Sequence, residues 1–451
     1  MESQKLTESV SVLFIYKEQV FTVQRQPYLI VFPGYQAFPG GKIDKDESSV
    51  PFKTKILSDH DPRRIRAICR EVMEELGYDI EKGILNDEII SINELAEAVA
   101  PVFSQFRFRT WFFRIDMKKK ISFKADSGEF DSSFWSTPKN MLDNFRKGKS
   151  LMVPPTRLVL KGLVEHPQAT ELGDLSERYD EENRVPSLEM LDGITLLPVQ
   201  SVTLPPASRT NAILLGDDDK TKLLIDPSPN SEEEYLRLFT TIKGRLPDAI
   251  FLTHHHPDHH QFSNRLAFEL QIPIILSQGT LELLTEKYGQ QYFKDIELQI
   301  VSENQLVTYW HGSAVRVYEI PGHDSGHLGL APDSMNWFLV GDLIQGIGTV
   351  VIPSREGDMS TYLNTLKKVI SLSPEVIIPS HGIPMRTTYR LEETLKHRIK
   401  RESEILELYQ SGKSRQEILK ELYPKIDPRL NPAAMQNIES HLAKLRKEKL
   451  L

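Results

Sequence analysis

The sequence predicts an α/β protein of several domains, and three observations carry that expectation. The chain has 451 residues, 39% of them apolar and 26% charged, an ordinary globular balance with ample material for a core. Strand-like runs alternate with helical patterns along most of its length. One such run, "DAIFLT", feeds directly into "HHHPDHHQF", so residues 251–262 hold five of the thirteen histidines.

Residues 1–165 open on "VSVLFIY", a short interrupted apolar run with no basic leader, read as a first strand and not as a signal peptide. "FRFRTWFFRI" is a second strand-like run, and Ile65, Ile68, Val72 and Leu76 space the apolar stripe of a helix. Residues 166–190 are polar, acidic and without periodic hydrophobicity, and are expected to be a linker. From 191 to 395, "TNAILLG", "TKLLIDP", "AIFLTH", "IPIILS", "VRVYEIPG", "WFLVGDLI" and "EVIIPSHG" read as strands between helices. Residues 396–451 read as helices, with thirteen Lys or Arg against eight Asp or Glu.

Composition excludes several classes. A net charge of −8 argues against a generic polyanion binder, the basic tail notwithstanding. The lone Cys69 rules out a disulfide framework and a cysteine zinc cluster, and fits a reducing compartment. No run reaches the length of a membrane span, so a cytoplasmic protein without membrane association is expected.

A His-rich surface loop would explain residues 251–262 and require nothing elsewhere. A metal site would require further ligands, and the chain supplies them. Alternate residues of an extended loop share a side, which groups His254 with His256, while Asp258 and His259 fall near the start of the next helix. His323 follows a strand in "EIPGHDSGH", Asp342 ends "WFLVGDLI", and His381 ends "EVIIPSHG". Imidazole nitrogen and carboxylate oxygen are donors that zinc favours.

These stretches, in this order over about 200 residues, resemble the metallo-β-lactamase superfamily. The resemblance implies an αββα sandwich with two zinc ions between its sheets. It assigns His254, His256 and His323 to one ion and Asp258, His259 and His381 to the other, with Asp342 as the bridge. Asp258 takes a catalytic role as well, and His327 stabilises an oxyanion or protonates a leaving group. The alternative for His327 is a hydrogen bond to the loop alone. His255 and His260 lie outside the pattern, as supporting or surface residues. "DPSP" at 226–229 stands where the family more often has Asp-Thr-Gly. Two divalent ions generate hydroxide near neutral pH and polarise the bond attacked, so no protein nucleophile is required.

A second motif lies upstream. "FPGGKIDKDE" precedes "REVMEELGYDI", and Gly41, Glu47, Arg70, Glu71, Glu74, Glu75 and Gly77 together resemble a Nudix box. Carboxylates three and four apart on a helix repel unless solvated or bound to cations. The resemblance implies an α/β/α sandwich in which Glu71, Glu74 and Glu75 hold Mg2+ or Mn2+, with Glu71 catalytic. Its substrate would be a nucleoside diphosphate derivative or coenzyme A. Twenty-two residues intervene between Glu47 and Arg70, an insertion like that of a coenzyme A diphosphatase branch, which puts the position of Glu47 in question.

"GKSRQEILKELY" and "PAAMQNIESHLAKLRKEKL" resemble the small winged-helix module of β-lactamase-like endoribonucleases. Single-stranded RNA is therefore the first expected substrate of the histidine site. A helical lid on the catalytic domain is the competing reading of the tail. A glyoxalase II-like or acyl-coenzyme A thioesterase acting on a small thioester is the alternative enzyme. A non-enzymatic nucleic-acid-binding regulator is the third reading, opposed by the full ligand sets. Only 39 positions separate Asp342 from His381, too few for the cap domain of the CASP branch.

Overall fold

The computed structural model describes residues 6–104, 106–176 and 179–451. They form two compact units, one of the chain up to Tyr179 with Met190–Asp192, the other of Asp180–Glu189 and Gly193–Leu451.

The first unit is built on a seven-stranded sheet. Its strands are β1 (Thr7–Tyr16), β2 (Gln19–Arg25), β3 (Gln36–Ala37), β4 (Ile89–Val99), β5 (Phe108–Met117), β6 (Phe130–Ser136) and β7 (Gly173–Asp174). The order is β3-β2-β1-β5-β4-β7, with β6 beside β2 and β1 parallel to β5. Strand period two sends Val10, Val12 and Phe14 to one face, and Leu13 and Ile15 to the other. The first face receives the helix Pro62–Leu76 through Ile65, Ile68, Val72 and Leu76, the stripe read from the sequence. Asp61 caps that helix, Pro62 opens it, and Gly77 closes it in the left-handed region at φ 62°. Helices Pro138–Arg146 and Pro154–Glu165 cover the second face.

The second unit holds two sheets. The first runs β14-β13-β12-β11-β10-β9-β8, from β8 (Leu188–Leu191), β9 (Ile194–Gln200), β10 (Arg209–Leu215), β11 (Leu223–Ile225), β12 (Ala249–Phe251), β13 (Ile274–Leu276) and β14 (Leu298–Ile300). The other runs β15 to β20 in chain order: Leu306–Trp310, Ser313–Glu319, Leu328–Pro332, Phe338–Gly341, Val376–Pro379 and Met385–Arg386. Strands β11 to β14 are parallel, and β12 is buried throughout, as its unbroken apolar run requires.

Residues 166–190, expected as a linker, hold fixed contacts instead. Within the first unit, Arg114 donates to the carbonyls of Pro167 (2.9 Å) and Ala169 (2.8 Å), and β7 pairs with β4. Within the second, buried Val185 joins the core, and its amide donates to Thr241 at 2.9 Å. Isolated apolar anchors and backbone hydrogen bonds hold this stretch, so it shows no periodicity. Glu177 and Arg178 lie outside the described residues.

The expected boundary at 395/396 falls inside one helix, Tyr389–Gln410. Leu391 packs in the core of the second sheet, and Ile405 in a small core with Ile418, Ala434, Ile438 and Leu442 of helices Arg415–Leu422 and Asn431–Lys447. No described helix is long and apolar enough to cross a membrane.

Candidate metal centre

The loop after β12 carries the histidines into the short helix Pro257–His260, with His256 at its N-cap and Pro257 at the first position. The chain breaks again at Phe262 (φ 63°) before the helix Ser263–Leu270, so the single helix expected after the motif is two.

Three imidazole nitrogens converge. His256 Nδ1 lies 3.1 Å from His254 Nε2 and 2.9 Å from His323 Nε2. His381 Nε2 lies 3.6 Å from Asp258 Oδ2, and His259 Nε2 lies 3.9 Å from Asp258 Oδ1. Asp342 spans the two groups: Oδ1 is 3.3 Å from His381 and 3.7 Å from His259, while Oδ2 is 3.9 Å from His323. His259 Nε2, His381 Nε2 and Asp342 Oδ1 are buried without a hydrogen-bond partner. Buried polar atoms carry a heavy desolvation cost unless something satisfies them. Cations seated between these lone pairs would do so, and the donor set suits zinc-class ions.

The far sides of the rings are all occupied. His259 Nδ1 donates to Asp226 (2.7 Å), His323 Nδ1 to the Val351 carbonyl (2.7 Å) and His381 Nδ1 to the Arg209 carbonyl (2.9 Å). Thr253 Oγ1 donates to Asp226 at 2.6 Å and accepts from His254 Nδ1 at 3.0 Å. Each bond leaves the Nε2 lone pair facing inward. His256 is reversed, with Nε2 toward Glu356 at 3.5 Å and Nδ1 inward.

Charge follows from the packing. Burial, reinforced by the neighbouring rings, holds His254 well below the ordinary imidazole value, and burial likewise brings His323 down to about 4. Burial pushes Asp342 up, but His381 and His259 outweigh it and hold its carboxyl well below the usual range. Burial lowers His259, and Asp258, Asp226 and Asp342 more than reverse it.

His327 is 1% exposed, and its Nε2 accepts the Asp342 amide at 3.4 Å, with burial bringing it down to about 3. This bond supports the backbone of Asp342, as the alternative of a hydrogen bond to the loop expects. Gly341 (φ 53°) is required beside it, because a Cβ there would sit 2.3 Å from His327 Nε2. His255 and His260 are buried, not on the surface. His255 bonds Asp324 and lies 3.3 Å from Glu356, and His260 bonds the Tyr292 hydroxyl at 2.7 Å. Sequence reasoning passed over Asp226, Thr253, Ser228 and Glu356. Only "DPSP" carried a signal: Asp226 ends β11 facing the motif, and Ser228 donates to the Asp258 carbonyl.

In the first unit, Arg70 pairs with Glu47 (3.0 Å), Glu71 (2.8 Å) and Glu74 (3.4 Å). Glu47 thus reaches Arg70 although the insertion, which includes the short helix Lys55–Ser58, separates them in sequence. Glu75 Oε2 accepts the Gly40 amide at 2.8 Å, and burial pushes its carboxyl up to about 8 against that bond. A Cβ on Gly41 would lie 2.3–2.5 Å from the Glu71 carboxylate, so any larger residue there would displace that carboxylate. Glu71, Glu74 and Glu75 do not gather as expected. Among the described residues no three carboxylates here bring ligand atoms within 4.8 Å of one another. The Glu74 side chain is 60% exposed, and Arg70 draws it and Glu71 toward itself.

Two sheets, each packed with helices, and histidine and aspartate groups at the strand ends are the elements of a metallohydrolase fold. Residues 205–381 match the Metallo-beta-lactamase superfamily, and residues 414–450 match the Beta-lactamase associated winged helix domain. The chain therefore carries a metallo-β-lactamase-fold hydrolase domain followed by a winged-helix module. It is 29% identical over 256 residues to a Beta-lactamase-like protein 2 homolog of Drosophila melanogaster, covering 53% of this chain and 82% of that one. It is 30% identical over 169 residues to a hydroxyacylglutathione hydrolase of Wigglesworthia glossinidia brevipalpis, covering 37% and 58%. The fold is also that of a beta-lactamase domain protein from Burkholderia ambifaria, at TM-score 0.50 and 20% identity over 60% of this chain and 91% of that one.

Proposed function

We propose that the lactamase domain hydrolyses the acyl ester of a small thiol, using two zinc-class ions. The observation that carries the hydrolase reading is Asp342, whose two oxygens face two separate groups of imidazole ligands. His254, His256 and His323 would hold one ion and Asp258, His259 and His381 the other, and the pair would supply hydroxide and polarise the carbonyl. Asp258, with 16% of its side chain exposed, would take the proton of the attacking water. Water adds at the acyl carbon, the carbon–sulfur bond breaks, and acid and thiol leave. The relative named for hydroxyacylglutathione supports this substrate class.

Single-stranded RNA is the second reading, favoured by the positive excess of the tail. Against it, eight of the thirteen cations of residues 396–451 are paired with carboxylates of the protein itself. Metal analysis followed by acyl-coenzyme A, lactoylglutathione and RNA substrates decides between them. RNA cleavage without thioester hydrolysis overturns the first reading.

The N-terminal unit is proposed as a Nudix-type hydrolase of a nucleoside diphosphate derivative or coenzyme A, with Mg2+ or Mn2+ at Glu71, Glu74 and Glu75. The Arg70–Glu47 pair and the fit of Gly41 to Glu71 support it. Because Arg70 holds two of these carboxylates, binding would require them to turn from it. Magnesium-dependent release of a phosphate product from a diphosphate panel tests this. The lone Cys69 accords with a cytoplasmic location. The division into 1–165, 191–395 and 396–451 is part of the same proposal, with residues 166–190 divided between the two compact units and the last two domains sharing one helix.

A further inference from the structure

The chain between Asp342 and the helix Met359–Leu372 passes directly over His323. The carbonyl of Val351 accepts from His323 Nδ1 at 2.7 Å. That carbonyl and the amide of Ile352 belong to one peptide unit, which is planar, so they point in opposite directions. The Ile352 amide donates to Asn437 Oδ1 at 2.9 Å. A single rigid plane therefore has His323 at one end and Asn437, in the winged-helix module, at the other.

The grip extends one residue further. Asn437 Nδ2 donates to the Val350 carbonyl at 3.3 Å, and the Arg398 guanidinium donates to the same oxygen. Asn437 is 5% and Arg398 2% exposed, so neither serves the surface of the tail. Lys447 adds an ion pair to Asp358 at 3.6 Å, at the end of the same loop. Arg398 also lies 5.6 Å from the ring centre of Tyr362.

We infer that Asn437 is a positioning residue for the metal centre: it fixes the peptide plane that sets the tautomer and tilt of His323. The inference rests on the metal reading given above. An unpaired ring nitrogen at His323 would leave the imidazole free to protonate the wrong atom or to rotate, and its lone pair would leave the group shared with His254 and His256. Asn437→Leu removes the acceptor and strands a buried amide, so the plane is free to turn. Asn437→Asp keeps the acceptor for Ile352. Leu442→Ala empties part of the tail's own core, a cluster that includes no residue of this loop.

Zinc affinity of the metal-stripped protein, measured against a chromophoric chelator, reads the effect apart from turnover. Asn437→Leu should weaken one of the two ions about tenfold, the scale of losses at residues that orient a ligand. Asn437→Asp should stay close to the parent, and Leu442→Ala should lower the melting temperature without altering either affinity. Equal affinities in the parent and Asn437→Leu, or an equal loss in Leu442→Ala, overturn the inference. If the parent binds no zinc, the metal reading fails and the clamp is judged by 15N resonances of His323. Those should show a proton fixed on Nδ1 in the parent and mixed tautomers in Asn437→Leu, and an unchanged ring overturns the clamp as well.

Discussion

Asp226 Oδ2 and His259 Nδ1 lie 2.7 Å apart, and both are fully buried. The same carboxylate accepts the amide of Thr253 at 2.8 Å and its hydroxyl at 2.6 Å. Through Thr253 it also fixes His254, so one carboxylate at the end of β11 orients a ring in each group of ligands. The "DPSP" stretch, noted in the sequence only as a departure from Asp-Thr-Gly, thereby orients the candidate metal centre.

Asp226→Asn should accordingly disturb both groups. An amide can present its NH2 to Nδ1 of His259 and turn the ring to the opposite tautomer. We expect metal affinity to fall by about 10–100-fold, as is usual when a ligand's orienting partner is changed. Zinc retention after dialysis against a chelator measures it, and full retention of both ions would refute the role.

Gly41 provides a test in the other unit. Its alanine variant would place a methyl group within 2.5 Å of the Glu71 carboxylate. Glu71 must move, since the facing glycine backbone is held by the Val10 amide, which donates to the Gly41 carbonyl at 2.9 Å. Magnesium-dependent diphosphate cleavage should drop at least about tenfold while the protein stays folded, overpacking at a half-buried site costing about 1–3 kcal/mol. Unaltered cleavage would separate Glu71 from the chemistry.

The candidate ligand residues were legible because they follow apolar runs, in an order that spacing alone makes improbable. The residues that orient them were not. Asp226, Val351, Glu356 and Asn437 act through one to three hydrogen bonds or ion pairs to residues far off in sequence, and such pairings leave no periodicity. His327 was visible but its role was not, because a histidine four positions past a candidate ligand has the same spacing whether it faces a substrate or a backbone amide. The tail was read correctly as helical, yet its excess charge hid how much of it is neutralised by carboxylates folded against it.

Acid should loosen the winged-helix module. Burial holds His441 below the ordinary 6.5. Burial pushes Glu402 up, but its bonds from His441 and Lys444 outweigh this and hold it below 4.5. A depressed imidazole takes up its proton more readily in the unfolded chain, so its contribution is complete above 6.5 and declines as pH falls through that value. A depressed carboxylate adds stability above 4.5 that is lost on further acidification. Hydrogen exchange across Asn431–Lys447 should therefore quicken between about pH 7 and about pH 5 once corrected for intrinsic rates. His441→Gln should flatten that trend, and a trend unchanged by the variant would assign the effect elsewhere.

The two sites should be chemically separable. Each has its ligand residues within its own unit: carboxylates along the helix Pro62–Leu76, and imidazoles and aspartates at the strand ends of the lactamase sandwich. Hard oxygen donors suit Mg2+ or Mn2+, whereas a set dominated by imidazoles suits zinc, so the two activities should also differ in metal preference. Glu74→Gln with Glu75→Gln keeps side-chain size and helix propensity while removing two charges. This pair should abolish magnesium-dependent diphosphate cleavage and leave thioester or RNA hydrolysis within about twofold, since the two ligand sets share no residue and sites without shared partners act independently. His254→Ala with His256→Ala should do the reverse. Circular dichroism establishes that both variants are folded before either activity is compared. Loss of both activities in one folded double variant would mean that the chemistry of the two units is joined, and the assignment of two independent hydrolases would have to be withdrawn.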